Sequence, residues 1–286
     1  MNRFETYCLR KEKQALAARL YGFRSTFDEA SGKQVVPVGN AWSRRLFDGD
    51  FHRSLGDSPD TPVVSLVFVQ SRSGDTVAPE PSTLGGGETD KHLIYEGLSR
   101  VAVDAVMAGA ATARSGDLVF SVWHPELVSL RLSLGFARHP AQIVITDSGN
   151  IPIEHGLMFE EPTLRVFVVT GSSTASRLRD RVNNRSWVEV IDAGQPLSFK
   201  TAMNLLRRRG IGAISGVGGR RTATALLKQG LVSDLYLTTS AIEAGEPNTP
   251  YYEGPPLSLS RVLGKAGQGP EADVRFEHLL VSAEPV

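Results

Sequence analysis

From Pro62 onward the chain alternates short β-branched runs with segments of helical periodicity, and that alternation leaves few architectures open. The candidate strands are 63–70 (VVSLVFVQ), 103–109 (VDAVMAG), 142–147 (QIVITD), 165–170 (RVFVVT), 187–192, 211–216, 234–240 and 274–281. Helices are expected over 89–100, 126–134, 173–182, 198–209 and 220–229. The one after Ser198 is the clearest: Ser198 can cap it, Phe199, Ala202, Met203, Leu205 and Leu206 form an apolar stripe, and Gly210 stops it. Strands joined through helices run parallel. The expected fold is therefore α/β, a mixed, mostly parallel sheet with helices on both faces. The last strand returns after the Pro-rich loop EPNTPYYEGPP as an antiparallel C-terminal edge.

Residues 1–58 read as a separate N-terminal arm or extension, and 59–286 as the main domain. The arm opens with an amphipathic helix over about 9–21 and continues through turn-rich sequence to the linker-like run GDSPDTP. Its aromatic residues Phe27, Trp42, Phe47 and Phe51 call for burial against the main body or a second subunit. Across the chain 31 Lys+Arg balance 31 Asp+Glu, which argues against nucleic acid or a membrane surface as partner. Cys8 is the single cysteine, so no intrachain disulfide is possible, and six scattered histidines give no metal-ligand spacing. No run approaches the ~20 apolar residues of a membrane span, and MNRFETYCLRKEK lacks the apolar core of a secretory signal. A cytoplasmic location is expected.

Two glycine-rich segments carry the functional signal. In ISGVGGRRTATALLKQGLV a strand runs into Gly216, Gly218 and Gly219 and then into a helix beginning Arg220, Arg221, Thr222. Glycines admit close backbone approach, and the free N–H groups of a helix's first turn bind anions, so a phosphate or pyrophosphate fits there. Two arginines oppose the helix dipole at that end, a placement that a bound polyanion explains, although solvated arginines on a tight turn are the plainer alternative. The third glycine of a Rossmann fingerprint would fall on Arg221, so this is not that motif. In the second segment, VDAVMAGAATARSG, Gly109, Ala110, Thr112 and Arg114 follow a strand end and suit either a ligand crevice or close packing.

Together, GxGGxxxxxALLxxGLVxxLYL and DAVMAGAATAR resemble the reductase domain of the bifunctional riboflavin-biosynthesis enzymes. The likeness extends to SRSGDTVA (71–78), ITDSG (145–149) and VVTG (168–171), and spans most of 62–282. It implies a dihydrofolate-reductase-like fold and NADPH as cofactor, with Thr146 and Thr170 joining the two glycine segments in holding it. The chain also departs from the family. Ser73 stands where the family has the aspartate of S-x-D-G, Val217 precedes the glycine pair where the family has glutamate, and SGDLVFSVWHPE lacks the D-P-x-L-x-x-R run that helps hold a ribosyl phosphate.

The resemblance therefore implies an NADPH-dependent reductase transferring a hydride to a small polar heterocyclic, imine or carbonyl substrate. Ser71, Ser73 and Asp75 are the candidate catalytic, substrate-contacting residues. The loop EPSTLGGGETDKH (80–92) either faces a polar ligand through its N–H groups or serves as a hinge or lid. Trp123 and His124 either line the pocket or are a core Trp and a surface His. Two alternatives stand beside this reading: the 5-amino-6-(5-phosphoribosylamino)uracil reductase reaction itself, and a non-catalytic dinucleotide-binding regulatory protein. A homodimer is expected because the resembling enzymes commonly form one.

Overall fold

A computed structural model describes residues 1–282 apart from Asp57, Glu80 and Ser115. Asp57 of the expected linker, Glu80 of the glycine loop and Ser115 after the Gly109 segment lie outside the described residues, as do 283–286. The strands are β1 (Phe23–Asp28), β2 (Val35–Val38), β3 (Phe51–Ser54), β4 (Val63–Gln70), β5 (Ala105–Gly109), β6 (Ala141–Ile145), β7 (Val166–Thr170), β8 (Val188–Asp192), β9 (Ala213–Val217), β10 (Asp234–Thr239), β11 (Ser258–Gly267) and β12 (Arg275–Ser282). Ten of them form one sheet in the order β1-β11-β12-β10-β4-β9-β5-β6-β7-β8, and β2 and β3 pair separately. All pairings from β10 through β8 are parallel, whereas β12, β11 and β1 are antiparallel to their neighbours.

The mixed, mostly parallel sheet with an antiparallel C-terminal side is thus present, and that side is three strands wide. β12 is flanked by β11, and β1 from the arm closes the edge. β1 (FRSTFD) and β11 (SLSRVLGKAG) escape the sequence reading because their polar alternation and glycines lack the continuous apolar run of a buried strand.

The helices are α1 (Arg3–Ala17), α2 (Ala41–Phe47), α3 (Gly87–Thr89), α4 (Ala110–Ala113), α5 (Pro125–Ser133), α6 (Leu157–Glu160), α7 (Ser172–Val182), α8 (Phe199–Arg208) and α9 (Arg220–Lys228). α3 runs on into a π-helical stretch, Asp90–Leu98. Alternate residues of each strand face opposite cores. Val67, Val106, Val144 and Val168 meet Leu93, Leu127 and Leu178 on one face, and Leu66, Met107, Ile143 and Phe167 meet Met203, Leu206 and Leu226 on the other.

The arm packs on the main body. Phe47 and Phe51 are buried, with ring centroids 5.0 Å apart, and Phe47 meets Phe276 of β12 edge-on at 5.7 Å. Polar contacts lock the same seam. Lys265 Nζ of β11 donates to Ser25 Oγ at 2.7 Å and to the Asp48 carbonyl at 2.9 Å, and the Ser54 hydroxyl donates to the buried Asp234 at 2.8 Å. Arg3 at the start of α1 bridges Asp117 and Glu160.

Candidate active site

In an open α/β sheet, ligands settle where adjacent strands lead off in opposite directions, at their C-terminal ends. β9 leads across β4 to β10, while its neighbour β5 leads outward to β6, so the switch point lies between β9 and β5. Both glycine segments emerge there. The two turns touch: a methyl group on Gly109 would come within 3.4 Å of Thr222 Oγ1, and one on Gly218 within 3.5 Å of Thr112 Oγ1.

Gly218 and Gly219 adopt left-handed backbone, with φ of 67° and 83°, and both are exposed. That conformation favours glycine, and it leaves the start of α9 without a side-chain cap among the described residues. Gly216 is different. It is buried in β9, where a methyl group would approach Leu66 Cδ2 to 2.6 Å, so its smallness serves strand packing. Arg220 Nε donates to the Pro250 carbonyl at 2.8 Å and its guanidinium pairs with Glu253, an intramolecular explanation for one of the two arginines. Arg221 is exposed.

The remaining cofactor-side residues follow the same rim outward. Ala110 opens α4 beside Gly109, and Arg114 ends that turn with Nη1 donating to the Asn150 carbonyl at 2.8 Å. Thr146, just past β6, accepts the Gly149 N–H at 2.9 Å and so shapes its own turn. Thr170 ends β7, and its buried hydroxyl has no partner among the described residues.

Ser71, Ser73 and Asp75 come together after β4 as a chain of hydrogen bonds. Ser71 Oγ and Ser73 Oγ lie 2.8 Å apart, Ser73 donates to Asp75 Oδ2 at 2.7 Å, and the Thr249 N–H donates to Asp75 Oδ1 at 2.9 Å. The Thr249 backbone N–H and then the Ser73 hydroxyl hold the Asp75 carboxyl below its ordinary range. The trio therefore staples the turn at 71–75 to the loop before β11, with the carboxylate ionised.

The glycine loop also has an intramolecular explanation. Glu271, from the loop between β11 and β12, accepts the Glu88 N–H at 3.0 Å and so supplies the anion at the start of α3. Any side chain on Gly87 would collide with it, since a methyl group there would lie 2.3 Å from Glu271 Oε1. Trp123 is a core residue, packed edge-on against Tyr7 at 5.6 Å, while half-buried His124 caps α5 and stacks on Trp42 at 4.1 Å.

Sequence reasoning missed the polar floor beneath the glycine loop. Asp90 is 7% exposed and accepts the hydroxyl of Thr238, one residue before the end of β10. Burial, with Glu271 adding like charge, pushes its carboxyl up to about 7 against the downward pull of Thr238. Two positions beyond Thr238, the hydroxyl of Ser240 is buried without a partner among the described residues. Asp90 lay inside the loop singled out at 80–92, but only tertiary burial sets its protonation. A separate narrow cavity lined by Val38, Phe51, Val63 and Tyr236 lies at the opposite, N-terminal ends of β4, β9 and β10. Among the described residues no three His, Cys, Asp or Glu side chains converge as metal ligands, and no helix is long and apolar enough to cross a membrane.

The fold defines an open-sheet α/β protein whose candidate ligand site is the switch point of the sheet. The family model of the RibD C-terminal domain matches residues 76–265, and the chain belongs to that family. It is accordingly an oxidoreductase of the riboflavin-pathway reductase kind. A pyrimidine reductase-like protein from Corynebacterium diphtheriae is 20% identical and aligns with a TM-score of 0.65 over 85% of this chain and 99% of its own. RibD of Acinetobacter baumannii aligns with a TM-score of 0.59 at 16% identity, over 78% of this chain and 58% of its own. The riboflavin biosynthesis reductase Rib7 of Saccharomyces cerevisiae aligns with a TM-score of 0.54 at 15% identity, over 80% and 93%. At these identities the structures speak for the fold. No curated protein sequence matches the chain.

Proposed function

We propose that the protein is an NADPH-dependent reductase that delivers a hydride to a small polar heterocycle carrying an imine or carbonyl group. The observation that carries this reading is the meeting of the Gly109 and Gly218 turns at the switch point, where Thr222 sits against Gly109 and Thr112 against Gly218. The exposed, left-handed Gly218 and Gly219 leave room for a dinucleotide's phosphates at the start of α9. Ala110, Thr112 and Arg114 line the other wall, Thr146 and Thr170 extend it along the rim, and Arg221, exposed and in no ion pair among the described residues, supplies the cation for a 2′-phosphate. Gly216 and Arg220 act indirectly, by packing β9 and by fixing the loop at 250–253. When bound, the dinucleotide supplies the hydride, and the protein's tasks are to orient it, exclude water and offer a proton.

On the substrate side, Ser71, Ser73 and Asp75 shape the mouth of the site through their link to Thr249. Reduction of 5-amino-6-(5-phosphoribosylamino)uracil is the second reading, favoured by the structural likeness to RibD and Rib7. Against it stands the loss of the family's ribosyl-phosphate run and of both carboxylates, at Ser73 and Val217. In this proposal residues 59–286 carry the reductase, residues 1–58 seal its antiparallel edge, and the protein works in the cytoplasm as a homodimer. Titration with NADPH and NADH, followed by turnover on phosphorylated and unphosphorylated aminopyrimidines, tests it. A lack of binding by either cofactor at millimolar concentration removes the reading.

A further inference from the structure

We infer that the outward face of α1, with the groove between α1 and α5, is where a second copy of this chain docks, the two α1 helices running parallel about a two-fold axis. The inference stands apart from the hydride chemistry and gives the proposed homodimer its surface. α1 precedes residues 76–265, the part that matches the family model, so this face belongs to the arm.

α1 carries apolar side chains on two sides, and the main body covers only one. Tyr7 and Ala15 are buried, with the Tyr7 ring packed on Trp123 at 5.6 Å. Leu9 and Leu16 stand 54% and 62% exposed. At 3.6 residues per turn these two leucines lie nearly in line, two turns apart, on the side away from Tyr7. Leu132 of α5 is 50% exposed, and Leu134 just after it 42%. Four of the eight large apolar side chains exposed among the described residues thus fall on or just after these two helices. Single exposed leucines are ordinary, but a cluster marks an interaction surface. Between the helices runs an open groove lined by Glu12, Trp123, Pro125, Val128, Ser129 and Leu132. The platform is fixed: Arg3 bridges Asp117 and Glu160, and Arg138 holds Glu12 Oε1 at 2.9 Å.

The charges select the occupant. Glu12 and Lys13 flank the line from Leu9 to Leu16, each about 50° around the helix from it, with Glu12 on the α5 side. Lys13 is exposed and in no ion pair among the described residues. A two-fold axis parallel to α1 sets Leu9 on the partner's Leu9 and Leu16 on the partner's Leu16. It also turns the acidic flank of each helix toward the basic flank of the other, so that Lys13 of each copy meets the partner's Glu12 at the groove, twice per dimer. An antiparallel pair would instead oppose Glu12 to Glu12 and Lys13 to Lys13. The face is therefore self-complementary in one orientation, as a two-fold interface requires.

The test is sedimentation velocity on the full chain, with circular dichroism to verify folding of each variant. The wild type should sediment as a dimer, and the double variant Leu9→Lys, Leu16→Lys as a folded monomer. Lys13→Glu and Glu12→Lys should each weaken the dimer about tenfold, since each reverses two symmetric contacts. An equimolar mixture of those two variants should restore it, because each then meets the opposite charge on the other. Orientation is read by Leu9→Cys in a Cys8→Ser background, which should oxidise to a covalent dimer under a mild added oxidant. A wild type that is monomeric overturns this proposal and the homodimer together. A dimer that persists in the folded leucine variant, or in which Leu9→Cys fails to cross-link, leaves the homodimer standing and overturns this surface. NADPH titration of the leucine variant keeps the cofactor reading separate, since α1 is remote from the Gly109 and Gly218 turns in its role.

Discussion

Gly109 and Thr222 lie so close that a methyl group on the glycine would meet the threonine hydroxyl at 3.4 Å, although 113 residues separate them in the chain. This contact joins the turn after β5 to the turn after β9 at the switch point of the sheet. A carboxylate introduced at Gly218, in the second of these turns, should repel a dinucleotide's phosphates. Gly218→Asp is expected to weaken NADPH by roughly tenfold to a thousandfold, or about 1–4 kcal/mol. Gly218→Ala, which carries the backbone strain at φ 67° without the charge, is the control, and circular dichroism verifies folding of both.

Gly216 should respond in the opposite sense. Its added methyl group would press on Leu66 Cδ2 inside the sheet, so Gly216→Ala should cost about 1–3 kcal/mol of stability by overpacking. NADPH affinity of the folded fraction should stay within about twofold. Urea unfolding and cofactor titration on the same sample separate the two effects.

The two arginines at the start of α9 should differ. Arg221→Ala is expected to weaken NADPH by about 1.5–3 kcal/mol and leave NADH nearly unchanged, as loss of a charge-assisted bond to a 2′-phosphate requires. Arg220 is already engaged with Glu253 and Pro250, so Arg220→Ala should loosen the loop at 250–253 and affect both cofactors alike. Equal losses of NADPH and NADH on Arg221→Ala would remove that residue from phosphate recognition.

Stability should fall on both sides of a window in pH. Asp90 holds its proton to about 7 in the folded protein, against an ordinary 3.8, so its contribution is complete below pH 4 and is lost as pH rises through 7. The shift of about three units corresponds to at most ~4 kcal/mol. His139 works the other way: burial, then Arg138 and Arg131, lower it to about 3, so its contribution is complete above pH 6.5 and is lost as pH falls toward 3. Asp90→Asn should flatten the alkaline side of the stability curve and His139→Gln the acid side, as measured by denaturant midpoints from pH 4 to 8.

The arm's aromatic seam should matter to the whole fold. Phe47 is fully buried between Phe51 and Phe276, and Phe47→Ala should cost about 3–5 kcal/mol. A chain beginning at residue 59 would lose β1 from the sheet and expose Phe276, and should elute as aggregate or bind hydrophobic dyes. A monodisperse, cooperatively unfolding 59–286 fragment would contradict this.

The order of elements from β4 to α9 was legible in the sequence because periodicity encodes local burial: β-branched runs such as 63–70 and the stripe of 199–206 each declare which face they hide. The glycine turns were legible for a related reason, since Gly218 and Gly219 announce backbone that other residues resist. Tertiary structure decided the rest. Insertion of β9 between β4 and β5 brings the Gly109 and Gly218 turns together, and no local pattern specifies which strand lies beside which. The same non-local pairing adds β1 and β11, whose polar alternation suits a strand only when a neighbour covers it. It commits Arg220 to Glu253 and the glycine loop's N–H groups to Glu271, although the arginine and the loop both read as open to a ligand in one dimension. Asp90 shows the limit most directly. Its chemistry depends on burial and on Thr238, 148 residues away, and protonation is a property of surroundings that a residue's identity does not contain.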